Sequence, residues 1–160
     1  MLENEKSHTE LNSLDDIKAT AGKLLAVDFG DVRTGLAVSD ASRLLASGIG
    51  YISVGGIEKT AQAIAESARE TRAIGVIVGL PINMDGSEGF RAERCKKLAR
   101  LIKEETGLLV TTFDERMTTM TASRYLNETN TRGKKRKGVI DTLSAEIILQ
   151  NCLDRLKYLS

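Results

Sequence analysis

The stretch 23–40, Lys-Leu-Leu-Ala-Val-Asp-Phe-Gly-Asp-Val-Arg-Thr-Gly-Leu-Ala-Val-Ser-Asp, constrains this chain most, because it sets a carboxylate inside a strand pattern. Leu24, Leu25, Ala26, Val27 and Phe29 make a short apolar run bounded by Gly30, as a buried strand does, and Asp28 interrupts it. An ionised carboxylate taken out of water without partners costs more than one side chain returns. Asp28 must therefore be hydrogen-bonded, paired with a cation or bound to a metal. Gly30 and Gly35 bracket a turn before a second apolar run, Leu36-Ala37-Val38, so the chain is expected to return as a hairpin. Asp28 would then stand on a sheet surface where two backbones leave open space. Backbone N–H groups of its own turn would satisfy an Asp equally well, so other carboxylates must decide between structure and chemistry.

Composition narrows the chemistry. The single histidine, His8, lies in a polar leader, which removes His-based triads and His metal clusters from the folded part. Cys95 and Cys152 are far apart, form no Cys-x-x-Cys and each fall in a helical pattern; they read as buried small hydrophobes in a reducing compartment, which argues against zinc. Carboxylates, hydroxyls, lysines and arginines remain. The 160 residues suit one compact domain, and 41% apolar with 28% charged residues is ordinary for a globular protein. No apolar run approaches the roughly 20 residues of a membrane span, and the first residues lack the pattern of a secretory signal, so a cytoplasmic location is expected. A net charge of +1 excludes a blanket electrostatic binder of nucleic acid, yet Arg132, Lys134, Lys135, Arg136 and Lys137 gather beside Gly133 and Gly138.

Along the chain, 1–22 reads as a flexible polar extension with a short helix after Ser13, whose spacing to Asp16 suits a cap, and 23–160 as the domain. The hairpin is followed by a third strand at 49–54, ended by Gly55-Gly56. An amphipathic helix is expected over 57–72, where Ile57, Ala61, Ile64, Ala65 and Ala68 recur. The continuous apolar run 75–80 suits a strand covered on both faces. Pro81 stops it, and Asn83-Met84-Asp85-Gly86 supplies a turn. A helix over 87–106 should carry Phe90, Arg94, Cys95, Leu98, Leu101 and Ile102 near one side and end at Gly107. A strand at 108–113, a helix at 118–127, the basic loop and a last helix at 139–156 complete an α/β layer fold.

Two further acids matter. Glu115, in Asp114-Glu115-Arg116, follows a strand directly, at the carboxyl end where sites in α/β sheets gather. Asp141 heads a stripe on the last helix, with Ser144, Ala145, Ile148 and Cys152 on the same face. Either acid would also favour a helix N-terminus. Taken with Asp28, however, the three form a pattern. Converging carboxylates raise one another's pKa unless a cation neutralises them, and an oxygen-only ligand set favours Mg²⁺ or Mn²⁺. Such a site suits phosphodiester hydrolysis with two ions roughly 4 Å apart.

Asp28-Phe29-Gly30, Arg33, Gly35, Ala37 and Ser39-Asp40; Val78-Gly79-Leu80-Pro81 with Met84-Asp85-Gly86; Asp114-Glu115-Arg116 with Thr118-Thr119 and Ala122; and Asp141 with Ala145 and Ile148-Leu149-Gln150 together resemble the YqgF family. Its members are described as pre-16S ribosomal RNA nucleases and, through a relation to RuvC, as Holliday-junction resolvases. The match runs in order over 23–154. It implies an RNase H-like fold: a five-stranded mixed sheet, the first three strands antiparallel, with helices on both faces. It also implies catalytic and metal-binding roles for Asp28, Glu115 and Asp141, and a hydrolase acting on ester bonds, processing the 5′ end of pre-16S rRNA. Asp31 stands where many relatives have Thr, an extra acid that weakens phosphate approach at that loop.

On this reading the partner is nucleic acid, and the protein is a monomer or homodimer that does not engage a membrane. Arg33, Arg116 and Lys134, Lys135, Arg136 and Lys137 are the candidate phosphate contacts, although the basic run suits a solvated loop equally well. With aromatic residues at 4%, Phe90 and Tyr125 being the candidates for stacking, a reader of shape and backbone is expected over a single-strand platform. The alternatives are a resolvase of branched DNA and a non-catalytic RNA-binding module. An ATPase or sugar kinase shares an Asp-x-Gly hairpin but needs two such domains, and the P-loop pattern is missing.

Overall fold

The structure, a computed structural model, describes residues 10–117 and 137–159, without the side chains of 137–141. Five strands, β1 (Leu24–Phe29), β2 (Thr34–Ser39), β3 (Ala46–Ile52), β4 (Gly75–Leu80) and β5 (Leu109–Asp114), form one sheet in the order β3-β2-β1-β4-β5. β1 and β2 pair antiparallel with Leu25 opposite Val38, and β2 pairs antiparallel with β3. β4 lies parallel to β1, with Val27 opposite Val78, and β5 lies parallel to β4. This is the mixed sheet expected, its first three strands antiparallel.

The described helices are α1 (Leu14–Lys18), α2 (Ile57–Thr71), α3 (Phe90–Thr106) and α4 (Lys137–Tyr158). Strand side chains alternate between faces, so the sheet divides its apolar residues between two cores. On one face Leu25, Val27 and Leu36 pack against Ile57, Ala61 and Ile64 of α2 and Leu98 and Ile102 of α3. On the other, Leu24, Ala26, Ala37, Ile77 and Phe113 meet Ile17 of α1 and Ala145, Ile148, Leu149 and Cys152 of α4. β4 is buried along its whole length, which explains its unbroken apolar run. Asp28 continues the two-residue steps from Leu24 and Ala26, so it belongs to the face that α4 covers. Cys95 and Cys152 are free and buried, and burial pushes both thiols up to about 12, leaving them inert.

Several boundaries shift for physical reasons. α3 begins at Phe90 rather than 87, because Ser87 is held in a turn: its N–H and hydroxyl donate to Asp85, its carbonyl accepts from Asn83, and Ile82 bridges Glu88. Phe90 at that helix start is 77% exposed, not part of the apolar side as expected, and the Arg94 guanidinium covers its ring. β3 starts at Ala46, because α4 turns a stretch that looks like loop into strand. The Glu146 carboxylate accepts from the Gly48 N–H at 2.7 Å, and the Gln150 side-chain carbonyl accepts from the Ala46 N–H at 3.1 Å. α4 itself runs beyond both expected ends.

The described part of the leader is packed on the domain rather than flexible beside it. Ser13 caps α1 through a reciprocal box with Asp16, Ile17 is fully buried, and Asn12 exchanges hydrogen bonds with the Val110 backbone. Residues 1–9, the helix expected at 118–127 and Tyr125 lie outside the described residues. Among those described, no helix is long and apolar enough to cross a membrane.

Candidate active site

Asp28 sits at the carboxyl end of β1 with a glycine on either flank. Its direct partner on β2 is Gly35, and on β4 Gly79 follows Val78, the partner of Val27. Neither neighbour fills the space beside the carboxylate, so the open floor expected from the sequence is present. Glu115 reaches the same floor from β5. Its N–H donates to the Leu80 carbonyl at 3.1 Å, which carries the β4–β5 pairing one bond past the strand as the chain turns, and Glu115, like Phe113, lines the cavity beneath α4.

Gly79 is what makes room for that side chain. A Cβ there would stand 2.8 Å from Oε1 of Glu115 and 2.6 Å from Cδ1 of Ile148. The two carboxylates line a cavity of about 200 Å³ with Phe113 as floor and Ser144, Ile147, Ile148 and Asn151 of α4 as wall. Burial, and then the Asp28 carboxylate, push the Glu115 pKa up to about 7, while Arg91 pulls it down. Two such acids can share a cation that removes their repulsion. Their oxygen-only donor set and the unfilled space beside them fit a hard divalent ion rather than zinc. No cluster of three ligating side chains occurs among the described residues. Asp141, the third expected acid, lies in the N-terminal part of α4, one turn before Ser144, and its side chain is outside the description.

The expected cations divide. Arg33 precedes β2, and its guanidinium lies over the Tyr51 ring at 5.2 Å from the centroid. Arg116 is engaged by its neighbour: Nη2 donates to Asp114 Oδ2 at 2.7 Å, Nε to both carboxylate oxygens at 3.1 Å and Nη1 to the Asn83 carbonyl at 3.3 Å. That ion pair is close to neutral toward an approaching phosphate. Lys134, Lys135 and Arg136 lie outside the described residues, and Lys137 contributes the first backbone position of α4. In the sequence Gly79 stands only as part of a family motif, with no role in the site, and Asn151 is not singled out. The first carried a signal, since a glycine within a strand marks close approach of another group. The second is a polar residue seven positions after Ser144 on the same helix stripe, and only 3% exposed.

A model of the family described as RuvX, Holliday junction resolvase, matches residues 22–155. A relative from Leuconostoc mesenteroides, named for a pre-16S rRNA nuclease, is 43% identical over 82% of this chain and 94% of its own length. Relatives of the same name from Paracoccus denitrificans and Ruminiclostridium cellulolyticum are 41% and 36% identical, covering 86% and 84% of this chain and 87% and 95% of theirs. Among solved structures, Thermus thermophilus RuvC in complex with a Holliday junction substrate superposes with a TM-score of 0.56 at 13% identity, over 87% of this chain and 98% of that one. A second T. thermophilus RuvC structure gives 0.55 at 10% identity over 84% and 96%. At such identities the likeness concerns the fold.

Proposed function

This chain belongs to the RuvX (YqgF) family, and from that premise we propose that it is a metal-dependent nuclease that hydrolyses phosphodiester bonds at the 5′ end of pre-16S rRNA. The observation that carries the reading is the cavity shared by Asp28 and Glu115 beneath α4. Asp28, Glu115 and Asp141 would hold Mg²⁺ or Mn²⁺. Bound there, such an ion supplies a Lewis acid that lowers the pKa of water and offsets charge on the leaving oxygen.

The chain's own residues do the rest. Asp28 stands on a strand paired opposite Gly35, so the sheet sets the point from which its carboxylate presents the phosphate. Glu115 ligates the ion or orients the attacking water. The apolar wall of Phe113 and Ile148 limits solvent on the inner side. Arg33 and the basic stretch 134–137 supply phosphate affinity without reading sequence. An enzyme of rRNA processing works where ribosomes are assembled, and the cytoplasm is the location this reading proposes.

The family description favours a second reading, a resolvase of branched DNA. Symmetric cleavage of two strands needs a homodimer, whereas trimming an RNA end does not. The test incubates the protein, Asp28→Asn and Asp141→Asn with precursor 16S rRNA and with a four-way DNA junction in Mn²⁺. Cleavage of the RNA by the parent alone is expected. Equal cutting by parent and variants would mean contamination, cutting of the junction alone would favour the resolvase, and binding without cutting would leave an RNA-binding module.

A further inference from the structure

We propose that Tyr51, braced by Arg33, is a stacking platform for an unpaired nucleobase beside the phosphate presented by Asp28; this rests on the nuclease reading above. The argument is one of register. Asp28 is directly opposite Gly35, and Gly35 directly opposite Tyr51, so the three residues stand abreast across β1, β2 and β3. Directly paired residues share a face, which puts Tyr51 on the side of Asp28. With strands about 4.8 Å apart, the Tyr51 Cα lies about 10 Å from that of Asp28. Between them Gly35 has no side chain, so nothing rises from the strand to separate ring and carboxylate.

A bulge creates this placement. Ala37 faces Gly48 while Leu36 faces Gly50, so Ile49 is the extra residue, and Gly50 takes φ +118° to allow it. Without the bulge, strict alternation from Ala46 and Gly48, which face α4, would send Tyr51 to the opposite side. Tyr51 is 48% exposed, and the Arg33 guanidinium lies over its ring at 5.2 Å, which fixes its orientation and adds a cation where a phosphate would run. Aromatic rings and guanidinium planes are the side chains on which unpaired bases stack, and a duplex does not offer its bases in this way. Phe90 cannot serve, because it lies at the start of α3, the helix packed on the other face.

The test measures binding of a single-stranded oligoribonucleotide carrying 2-aminopurine, in an Asp28→Asn background that prevents cleavage. Quenching on binding is expected. Tyr51→Ala should abolish the quenching and weaken Kd about 5- to 100-fold, with thermal unfolding unchanged, while Tyr51→Phe keeps both. Arg33→Gln should reduce the slope of log Kd against log salt by about 1, and Tyr51→Ala should not change it. Unaltered binding and quenching in Tyr51→Ala, with cleavage by the Asp28 protein intact, would overturn the platform and leave the nuclease reading standing. The same loss with fully paired RNA would overturn stacking in favour of a backbone contact. Neither binding nor cleavage by the Asp28 protein would overturn both.

Discussion

Glu115 is held between the Asp28 carboxylate and an apolar wall, and its folded pKa of about 7 lies above its ordinary value of 4.5. The folded state therefore binds more protons than the unfolded state between those values, and this residue's contribution to stability falls as pH rises from 4.5 through 7. Glu115→Gln, measured with chelator present, should melt above the parent at pH 8, and the difference should vanish near pH 4.5. A divalent ion at the carboxylates would reverse the order, raising the parent's melting temperature at pH 8 and leaving that of the variant. Gly79→Ala probes the same carboxylate from below. Its Cβ would sit 2.8 Å from Glu115 Oε1, so the carboxylate must move. Cleavage should fall by about tenfold or more, with a stability loss of about 1–3 kcal/mol, read by single-turnover kinetics and thermal unfolding. Asp28 and Glu115 could be singled out in the sequence, one by its cost inside a strand and one by its place after a strand.

At the scale of elements, the pairing of α4 with β3 positions the site. β3 is a sheet edge, and Glu146 and Gln150 satisfy its Gly48 and Ala46 N–H groups while the Gln150 side-chain amide donates to the Leu44 carbonyl at 3.2 Å. Gly48 is required for that approach, since a Cβ there would meet Thr142 and Glu146. Glu146→Ala should cost about 1–3 kcal/mol and remove hydrogen-exchange protection at Gly48, with Ile77 on β4 unaffected. The alternation of apolar residues revealed α2 and α4, and the unbroken run revealed β4. The start of β3 was hidden, because Ala46-Ser47-Gly48 has no strand propensity and becomes strand through side chains a hundred positions away.

At the scale of the whole molecule, both sheet edges take hydrogen bonds from outside the sheet. α4 bonds the edge of β3, and Asn12 covers the start of β5 by exchanging hydrogen bonds with Val110 at 2.8 and 3.0 Å. Arg43 fastens the leader from the β2–β3 turn, donating to the carbonyls of Gly22 at 2.7 Å and Ile17 at 2.8 Å. Ile17 fills the end of the core under α4, so Ile17→Ala should destabilise the fold by about 2–5 kcal/mol in denaturant unfolding. The polar composition of 1–22 hid this, because a few anchoring residues, Leu11, Asn12, Leu14 and Ile17, decide the packing and composition averages over them. The amino-acid sequence by itself determined the order of strands and helices, the hairpin around Asp28 and the family, since these follow from local periodicity, glycine placement and motif order. Only the tertiary structure decided that Asp28 and Glu115 share one cavity, that Gly79 makes the space for it, and that a one-residue bulge turns Tyr51 toward it. Those facts depend on register between strands distant in the chain, and a shift of one residue in that register reverses the face every later side chain occupies.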